Sequence, residues 1–562
     1  FSYTYEGTKW TNVKWGSEVL FALVSKAAAP ECVFLLQALV SCLTLLLLLK
    51  IAQLKIARTQ LAIPLALIFS LVATEYRIIG RPEMFSHLFT VLFLFFLLKE
   101  KKEPSNQIYW LIPLQIVWAN LHEAFGIGIV LTTIFVAGDW LEYFLVKRSL
   151  FSGKAAFPKK ISTLLPVQIV SVIINPNGVE LLTRPLNILG QVYENKYTTE
   201  LFDFKQPEYW QWNVYWTIGL LVIGGAGALV YFKAQKARLN RFKLFVEQFG
   251  ISYLLTIVAF VYLAATAYRN IIFLVLVFFP LFVFGMDALL SKISLLQKLT
   301  KQANAAFCVL LFLLYCLVVS NKYYELTNSR DRFGLEVLSA HNPTGAAEFI
   351  KQNNIRGKCF SDYLTSSYLL WKLQPEFKSF IDLRDLDIFP TSFFNRFAAA
   401  VTFPEEFDKL DSVQNFNYAV LFRPQYLSLH EHLYNSNEFK LVFADAVACI
   451  FVRKTSTVDS SITSFFPVKP VRHSSFGFII NKILNPFYAL FNYATVDNDL
   501  QAAAYFSTVG KFDLAEAFAK KSAQNNIENY KGAEILGEVY YKRALFATNP
   551  EEKNKWLNAA GN

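Results

Sequence analysis

The chain has 562 residues, of which 54% are hydrophobic, 16% aromatic and only 17% charged, with a formal net charge of +11. A soluble protein usually carries about 25% charged residues, so this composition excludes a disordered or collagen-like chain and favours membrane-crossing segments. Six cysteines are too few for a disulfide framework. Lysines beside a membrane report orientation rather than nucleic-acid binding, and we expect no nucleic-acid partner.

Long apolar stretches occupy the chain up to about residue 321. Crossing a bilayer takes about 20 apolar residues, and the sequence predicts about ten spans in a polytopic helical membrane domain over residues 30–321. Residues 1–29 are predicted to be a periplasmic loop segment with an amphipathic helix. The predicted spans are residues 31–49, 60–75, 84–98, 107–120, 124–145, 161–175, 213–233, 248–267, 270–289 and 304–320.

The charges of the connecting segments alternate along the chain. Every second loop is rich in lysine and arginine, with Lys50, Lys99, Lys147, Lys236 and Lys292 as representatives, and the loops between carry far fewer. Positive charge is retained on the cytoplasmic side of a membrane, so the basic loops are predicted to be cytoplasmic. The chain after about residue 321 then lies on the far side, which in a bacterial inner membrane is the periplasm.

Beyond the last predicted span the chain becomes more polar. Short apolar strands and a helix beginning near Thr344 predict a small periplasmic α/β domain over residues 335–456. A linker rich in Ser, Pro and Phe follows at residues 457–494. Residues 495–562 repeat part of their pattern after about 34 residues, which predicts a helical tail like tetratricopeptide repeats. A plain helical hairpin is the alternative; if the repeats are real, we expect more of them beyond Asn562.

Two arginines separate two predicted spans. Arg77 and Arg81 share a face if the turn between them is helical, and two guanidinium groups at a membrane surface suit a phosphate or pyrophosphate. The alternative is that they pair with Glu75 and Glu83, or reach lipid headgroups.

A histidine and a carboxylate follow the predicted span that ends at residue 120. His122 and Glu123 could act as acid and base or assist a metal, but two ligands alone make a weak metal site, and we assign none. The alternative is a hydrogen-bonded histidine that caps a helix end.

A third cationic position lies between two spans with almost no loop. Arg269 must lie close to the bilayer and needs a partner, which could be an anionic headgroup or a carboxylate. Between these positions, the turn at Asn175 favours a structural role. The loop over residues 179–212 mixes carboxylates with aromatic rings, as sugar sites and membrane-interface belts both do.

The α/β domain carries one polar cluster directly after a predicted strand. Ligands gather at the carboxyl ends of strands in open α/β sheets, so Asp382 and Arg384 could bind a partner. We favour the alternative, in which Arg384 contacts Asp382 or Asp385 and fixes the loop.

The order of several short motifs resembles a known architecture. The chain is similar to bacterial multi-span proteins of the C-type glycosyltransferase superfamily, often with tetratricopeptide repeats at the end, over residues 1 to about 455. The motifs are Phe1–Gly7, Trp15–Leu20, Arg81-Pro82-Glu83, Trp118–His122, Tyr268-Arg269-Asn270 and Phe380–Arg384.

This resemblance implies a glycosyltransferase-like protein that takes a sugar from a polyprenyl-phosphate carrier at the periplasmic face. Arg77, Arg81 and Arg269 would hold the lipid phosphate, and His122 or Glu123 would assist the acceptor or a divalent metal, whose involvement stays open. The superfamily places its catalytic acid in the first outer loop, and the expected acid is absent from the motifs here. We therefore expect it before Phe1 and assign no catalytic residue.

The alternative hypothesis is a non-catalytic membrane scaffold, or a subunit of a cell-envelope complex. Its α/β and repeat regions, residues 335–562, would then recruit protein partners, as solenoid surfaces commonly do. Fold resemblance does not decide between the two hypotheses, so whether the protein is an enzyme stays open. We expect Arg77, Arg81, His122, Glu123 and Arg269 to converge in one cavity.

Overall fold

A computed structural model describes most of the chain, which is mainly helical with one small mixed sheet. The described residues are 1–55, 61–147, 157–183, 198–234, 241–293, 300–326, 333–335, 337, 341–384, 388–445, 447–454, 498–525 and 530–561. The chain forms two compact units, a helical unit of Thr11–Leu317 and a second unit that combines Phe1–Trp10 with Val318–Asn562. The predicted linker at residues 457–494 lies outside the described residues.

The helical unit contains helices of very unequal length. Its described helices are α1 (Trp15–Ala27), α2 (Cys32–Lys55), α3 (Ala62–Thr74), α4 (Glu83–Lys102), α5 (Leu111–Leu121), α6 (Gly126–Lys147), α7 (Lys159–Ser171), α8 (Trp212–Ala234), α9 (Arg241–Phe249), α10 (Ile251–Thr266), α11 (Ile271–Leu290) and α12 (Thr300–Val319), the last ending at the boundary with the second unit.

The prediction of about ten membrane spans is wrong. In the described part of the chain, four helices are long and apolar enough to cross a membrane, at Cys32–Leu54, Glu123–Lys147, Trp212–Ala234 and Tyr268–Leu290. A fifth candidate is the pair formed by α9 and α10, which is bent by 89° at Gly250, a residue with a φ of 89°.

The other predicted spans fail for physical reasons of length and charge. Helices α3, α5 and α7 have 13, 11 and 13 residues, and at about 1.5 Å per residue none covers a hydrocarbon core about 30 Å thick. Helix α4 has 20 residues, but its uncharged stretch runs only from Met84 to Leu98. In α12 the apolar part is Cys308–Val319.

Helix α11 forms the centre of the helical unit. Its residues from Ile271 to Ala288 are all buried, and its densest packing is against α8. At this crossing Gly224 and Gly227 of α8 face Gly285 of α11, and a Cβ added to Gly227 or Gly285 would overlap the backbone of the facing helix. Small residues therefore let the two backbones touch, as in membrane helix pairs.

The second unit is built around a four-stranded sheet. Its strands are β1 (Cys359–Ser361), β2 (Tyr418–Phe422), β3 (Phe439–Ala444) and β4 (Ala448–Arg453), in the order β1-β2-β4-β3. Strands β1 and β2 are parallel, whereas β4 is antiparallel to both β2 and β3. The described helices of this unit before the tail are α13 (Lys322–Leu326), α14 (Thr344–Gln352), α15 (Ser366–Leu373), α16 (Thr391–Thr402), α17 (Pro404–Gln414) and α18 (Leu427–Asn435).

Both faces of the sheet are covered, which explains its continuous apolar strands. In β2, Ala419 and Leu421 pack in one core cluster, and Tyr418 and Val420 pack in the other.

The first residues of the chain belong to this second unit. Ser2 forms a parallel bridge with Ser379, and the hydroxyl of Thr4 donates to the carbonyl of Phe380 at 2.8 Å. The ring of Tyr5 packs edge-on against Phe389, with ring centres 5.4 Å apart. Phe1–Trp10 belong to this unit and the helical unit begins at Thr11, so the boundary between the two units falls within residues 1–29.

The tail contains four described helices, of which consecutive members pack together. They are α19 (Asn498–Thr508), α20 (Phe512–Asn525), α21 (Tyr530–Phe546) and α22 (Pro550–Gly561). Tyr505 and Phe506 of α19 join the same core cluster as the strand residues Leu441 and Phe451. The tail is therefore helical, as predicted, and docked on the sheet's core; its likeness to tetratricopeptide repeats stays a prediction.

Candidate functional site

The structure brings all five predicted site residues to one cavity in the helical unit. This charged cavity has a volume of about 990 Å³, and Arg77, Arg81, His122, Glu123 and Arg269 all line it. Other ionisable groups line it too, which the sequence analysis had not grouped with the five: Lys14, Glu83, Glu200 and Asp203.

Most of the remaining lining of the charged cavity is apolar or aromatic. Side chains from the start of α6, from the end of α10 and from the loop after residue 198 contribute, including Phe125, Ile127, Val130, Phe202, Phe260, Leu263 and Phe273. A cavity that combines apolar walls with several charged groups suits a molecule with a polar head and a hydrocarbon part.

Arg77 is held in a buried ion-pair network. It ends a 3-10 turn over Glu75–Arg77 that continues α3, and its side chain is only 3% exposed. One end of the guanidinium pairs with Glu83, the first residue of α4, and Nη1 lies 2.7 Å from Oε2 of Glu200. A buried cation needs such partners.

Arg81 does not share a helical face with Arg77, because the chain between them leaves the helix. Its side chain is 57% exposed, and its Nη1 lies 3.2 Å from Oε1 of Glu200. Glu75, one of the partners in the alternative that the sequence left open, is exposed, and Glu200 pairs with both arginines instead.

Glu200 bridges the two arginines from a distant part of the chain. It lies in a 3-10 turn over Thr199–Leu201, and the chain after this turn is fixed by the N–H of Tyr268, which donates to the carbonyl of Phe202 at 2.9 Å. Burial raises the pKa of Glu200, but Arg77 and Arg81 outweigh it, and the pKa lies below its ordinary value. Glu200 is therefore an anion at neutral pH.

His122 is fixed by hydrogen bonds at the end of α5. The indole N–H of Trp118 donates to Oγ of Ser86 at 2.7 Å, and this Oγ lies 2.8 Å from Nδ1 of His122. The backbone N–H of Ala124 also donates to Nδ1 at 3.3 Å. Nδ1 is therefore assigned as an acceptor, and neutral His122 carries its proton on Nε2.

His122 therefore caps the end of a helix, which was the alternative to a role as acid or base. Its Nε2–H can still donate a hydrogen bond to a ligand. Its neighbour Glu123 pairs with Lys14, whose Nζ lies 3.5 Å from Oε2.

Arg269 differs from the other cations of the charged cavity. Its 3-10 turn, Tyr268–Asn270, is held by the hydroxyl of Tyr76, which donates to the carbonyl of Tyr268 at 3.0 Å, and by Tyr268, whose hydroxyl donates to Asn213 at 2.8 Å. Among the described residues, the guanidinium of Arg269 makes no ion pair within 4.0 Å and no hydrogen bond. Its hydrogen bonds hold the turn in place, and within the described residues its cation acts on Glu123 and Glu200 only at longer range, which leaves its hydrogen-bond donors available to an anion.

The charged cavity holds as many carboxylates as cations. Lys14, Arg77, Arg81 and Arg269 face Glu83, Glu123, Glu200 and Asp203. Two of these carboxylates, Glu200 and Asp203, come from the loop after residue 198. Within the described ranges, no group of three or more His, Cys, Asp or Glu is placed to hold a metal ion.

The predicted structural turn at Asn175 is a hydrogen-bonded turn. The side-chain amide of Asn175 donates to the carbonyl of Ala119 and to Oδ1 of Asn120, both at 3.0 Å, and its Oδ1 accepts the N–H of Asn177 at 2.9 Å. These bonds tie the turn to the end of α5, which carries His122.

In the second unit, the favoured contact between Asp382 and Arg384 is confirmed. Nε and Nη2 of Arg384 donate to the two carboxylate oxygens of Asp382 at 2.8 and 2.7 Å. The guanidinium also lies 5.2 Å from the ring centre of Phe1 and 5.9 Å from that of Trp10. The pair therefore fixes both its own loop and the first residues of the chain.

Replacing Asp382 with alanine should destabilise the second unit by about 1–3 kcal/mol, because Arg384 loses a buried charge-assisted partner. Burial raises the pKa of Asp382, but the bonds from Arg384 and Ser379 outweigh it and the pKa is lowered. The stabilisation is therefore complete above a pH of about 3.9, the ordinary carboxyl pKa, and is lost as the pH falls through the lower folded value. Limited proteolysis of the full chain at pH 7 should show faster cleavage of the variant near Phe1–Trp10. Unchanged cleavage with loss of a bound partner would instead assign Asp382 to binding.

A scan against protein-family models finds no match for the chain, and a search of curated proteins finds none either.

Proposed function

We propose that the protein is an integral membrane protein of the glycosyltransferase-like type, which binds a polyprenyl-phosphate carrier and transfers its sugar. The observation that carries this proposal is the charged cavity, in which Arg269, a cation with no ion pair among the described residues, lines the same space as apolar helices. The apolar wall would receive the polyprenyl chain, and Arg269 would bind the phosphate.

The proposed reaction needs charge stabilisation more than acid catalysis. The oxygen of an acceptor hydroxyl attacks the anomeric carbon, the bond between that carbon and the phosphate oxygen breaks, and the lipid phosphate leaves with the electron pair; the hydroxyl proton ends on the departing phosphate or in water. Arg269, with Arg77 and Arg81, would stabilise that developing charge. The Nε2–H of His122 and the carboxylate of Glu123 are the groups of this cavity that would orient the acceptor; no residue is assigned as the base.

Binding of a lipid phosphate tests the proposal directly. Purified full-length protein in detergent is mixed with a short-chain polyprenyl phosphate and the matching polyprenol, and the bound species are counted by native mass spectrometry. We expect strong selection of the phosphate, because only the phosphate offers charge to Arg269. Equal retention of the two lipids would overturn the proposal.

One observation favours the scaffold hypothesis as a second candidate. The charged cavity is balanced in charge and most of its ion pairs are already made, as in a purely structural network. A scaffold would retain no lipid phosphate in the same measurement, and it would release no polyprenyl phosphate from a panel of polyprenyl-phosphate sugars.

The proposed location is a bacterial inner membrane, with residues 321–562 in the periplasm and the basic loops in the cytoplasm. Helices long and apolar enough to cross a membrane support the membrane location, and the orientation follows from the proposal that the lysine- and arginine-rich segments lie in the cytoplasm. Lipid bilayer and a lipid-linked sugar are then the expected partners, and residues 335–562 are available to protein partners.

The orientation predicts the labelling of single cysteines in intact spheroplasts. The six native cysteines are replaced, and one cysteine is placed either at Ala237 in a basic loop or at Asn437 in the second unit. A membrane-impermeant maleimide should label the Asn437 position and leave the Ala237 position unlabelled until the membrane is permeabilised. The reverse pattern would show that the orientation is inverted.

A further inference from the structure

One carboxylate bridges two guanidinium groups at the edge of the charged cavity. Oε2 of Glu200 lies 2.7 Å from Nη1 of Arg77, and Oε1 lies 3.2 Å from Nη1 of Arg81. Two arginines that converge on two oxygens of one anion form the arrangement by which proteins bind phosphate. In this structure the anion belongs to the protein itself.

The two carboxylates that bind Arg77 are not equivalent. Glu83 is buried, with 11% of its side chain exposed, and is the first residue of α4. The side chain of Glu200 is 34% exposed and that of its second partner Arg81 is 57% exposed. Exposed ion pairs contribute little net free energy because water solvates the separated ions. Glu83 is therefore the permanent partner of Arg77, and Glu200 is the exchangeable one.

We infer that Glu200 occupies the position of the ligand's acidic group, and that the phosphate of an incoming lipid displaces it from Arg77 and Arg81. This inference rests on the proposed function. Glu200 then sets the selectivity between charged and uncharged lipids. A phosphate can compete with its carboxylate for the two guanidinium groups, whereas an uncharged head group cannot. Neutral lipids therefore leave Glu200 bound to Arg77 and Arg81, whereas a lipid phosphate replaces it.

The inference predicts a gain of binding from the loss of a charge. Glu200→Gln keeps the shape of the side chain but removes the competing anion, so the affinity for a short-chain polyprenyl phosphate should rise about tenfold, the value of one charge-assisted bond. Affinity for the matching polyprenol should stay unchanged. Glu208→Gln is the matched control: this exposed residue is in the same loop and does not line the charged cavity, and its affinities should equal those of the unaltered protein.

Each outcome of these affinity measurements leads to one conclusion. If the unaltered protein prefers phosphate and Glu200→Gln binds it no better, or more weakly, the inference is overturned while the proposed function stands. If the unaltered protein shows no preference for the phosphate, the proposed function fails and the inference fails with it. The affinity for inorganic phosphate is measured as well. If Glu200→Gln raises it by the same tenfold factor as for the lipid, displacement is still supported, and the selectivity is assigned to the phosphate group alone.

A second measurement covers the case in which Glu200→Gln does not fold. In a structure of the unaltered protein with polyprenyl phosphate bound, phosphate oxygens should lie within hydrogen-bond distance of Nη1 of Arg77 and of Arg81, and Glu200 should have left both. A bound lipid phosphate beside an unbroken Glu200 bridge would overturn the inference.

Discussion

Replacing Arg269 with glutamine should lower the affinity for a short-chain polyprenyl phosphate by about tenfold to a hundredfold. The guanidinium lines the charged cavity and has no ion pair among the described residues, so its charge is available to a ligand. Loss of one charge-assisted bond costs about 1.5–3 kcal/mol, and about 1.4 kcal/mol corresponds to a factor of ten. Because Arg269 makes no ion pair or hydrogen bond among the described residues and acts on Glu123 and Glu200 only at longer range, the apparent melting temperature in detergent should change little.

The matched control for this variant is Lys205→Gln. Lys205 is an exposed cation of the loop after residue 198 and does not line the charged cavity. Its replacement removes the same charge from the helical unit and should leave lipid-phosphate affinity within about twofold, since exposed charges are screened by salt. Equal losses in the two variants would indicate a general effect of net charge, and the phosphate site at Arg269 would then be abandoned.

Replacing Arg77 with methionine should instead destabilise the helical unit by about 3–5 kcal/mol, the usual cost of leaving a buried charge without its partner. The side chains of Arg77 and Glu83 are 3% and 11% exposed, so water cannot replace the lost ion pair. We expect a much lower yield of monodisperse protein on size-exclusion chromatography and a lower apparent melting temperature.

Two further variants separate the ion pair from other effects of this change. Adding Glu83→Gln to the Arg77 variant removes the orphaned carboxylate and should restore part of the lost stability. Arg81→Met, at a residue whose side chain is 57% exposed, should cost only about 0–1 kcal/mol. If the Arg77 and Arg81 variants have the same apparent melting temperature, the buried ion-pair network contributes nothing to the stability of the fold.

The sequence predicted the clustering of the charged and polar site residues better than it predicted the lengths of the helices on which they lie. Arg77, His122 and Arg269 each follow the apolar end of a helix, so the sequence grouped them although it overestimated the number of spans. Their contacts were not predictable, because Lys14 and Glu200 reach the charged cavity from segments far away in sequence. Glu200 was visible only as one carboxylate in a loop rich in aromatic rings.

The number of spans was overestimated because hydropathy does not report helix length. The run over residues 107–120 is apolar, yet its α-helix has only 11 residues because a 3-10 turn over Asn106–Trp110 precedes it. The opposite error affected the start of the chain. Phe1–Trp10 contain few apolar residues in any regular pattern, so nothing local indicated that Tyr3 and Tyr5 would pack on residues more than 350 positions later.

The union of Phe1–Trp10 with Val318–Asn562 in one unit sets a parity rule for the segment between them. Two pieces of chain that fold together must lie in the same aqueous compartment, so Thr11–Leu317 must cross a membrane an even number of times. The four single helices of sufficient length give an even number, but they leave only α6 between Arg77 and Glu200, which pair at 2.7 Å and must share a compartment, so further crossings are required. If the bent pair of α9 and α10 crosses as a fifth segment, one more crossing is required. Any topology map of this protein that counts an odd number of crossings separates Ser2 from Ser379 by a bilayer, and is inconsistent with their pairing.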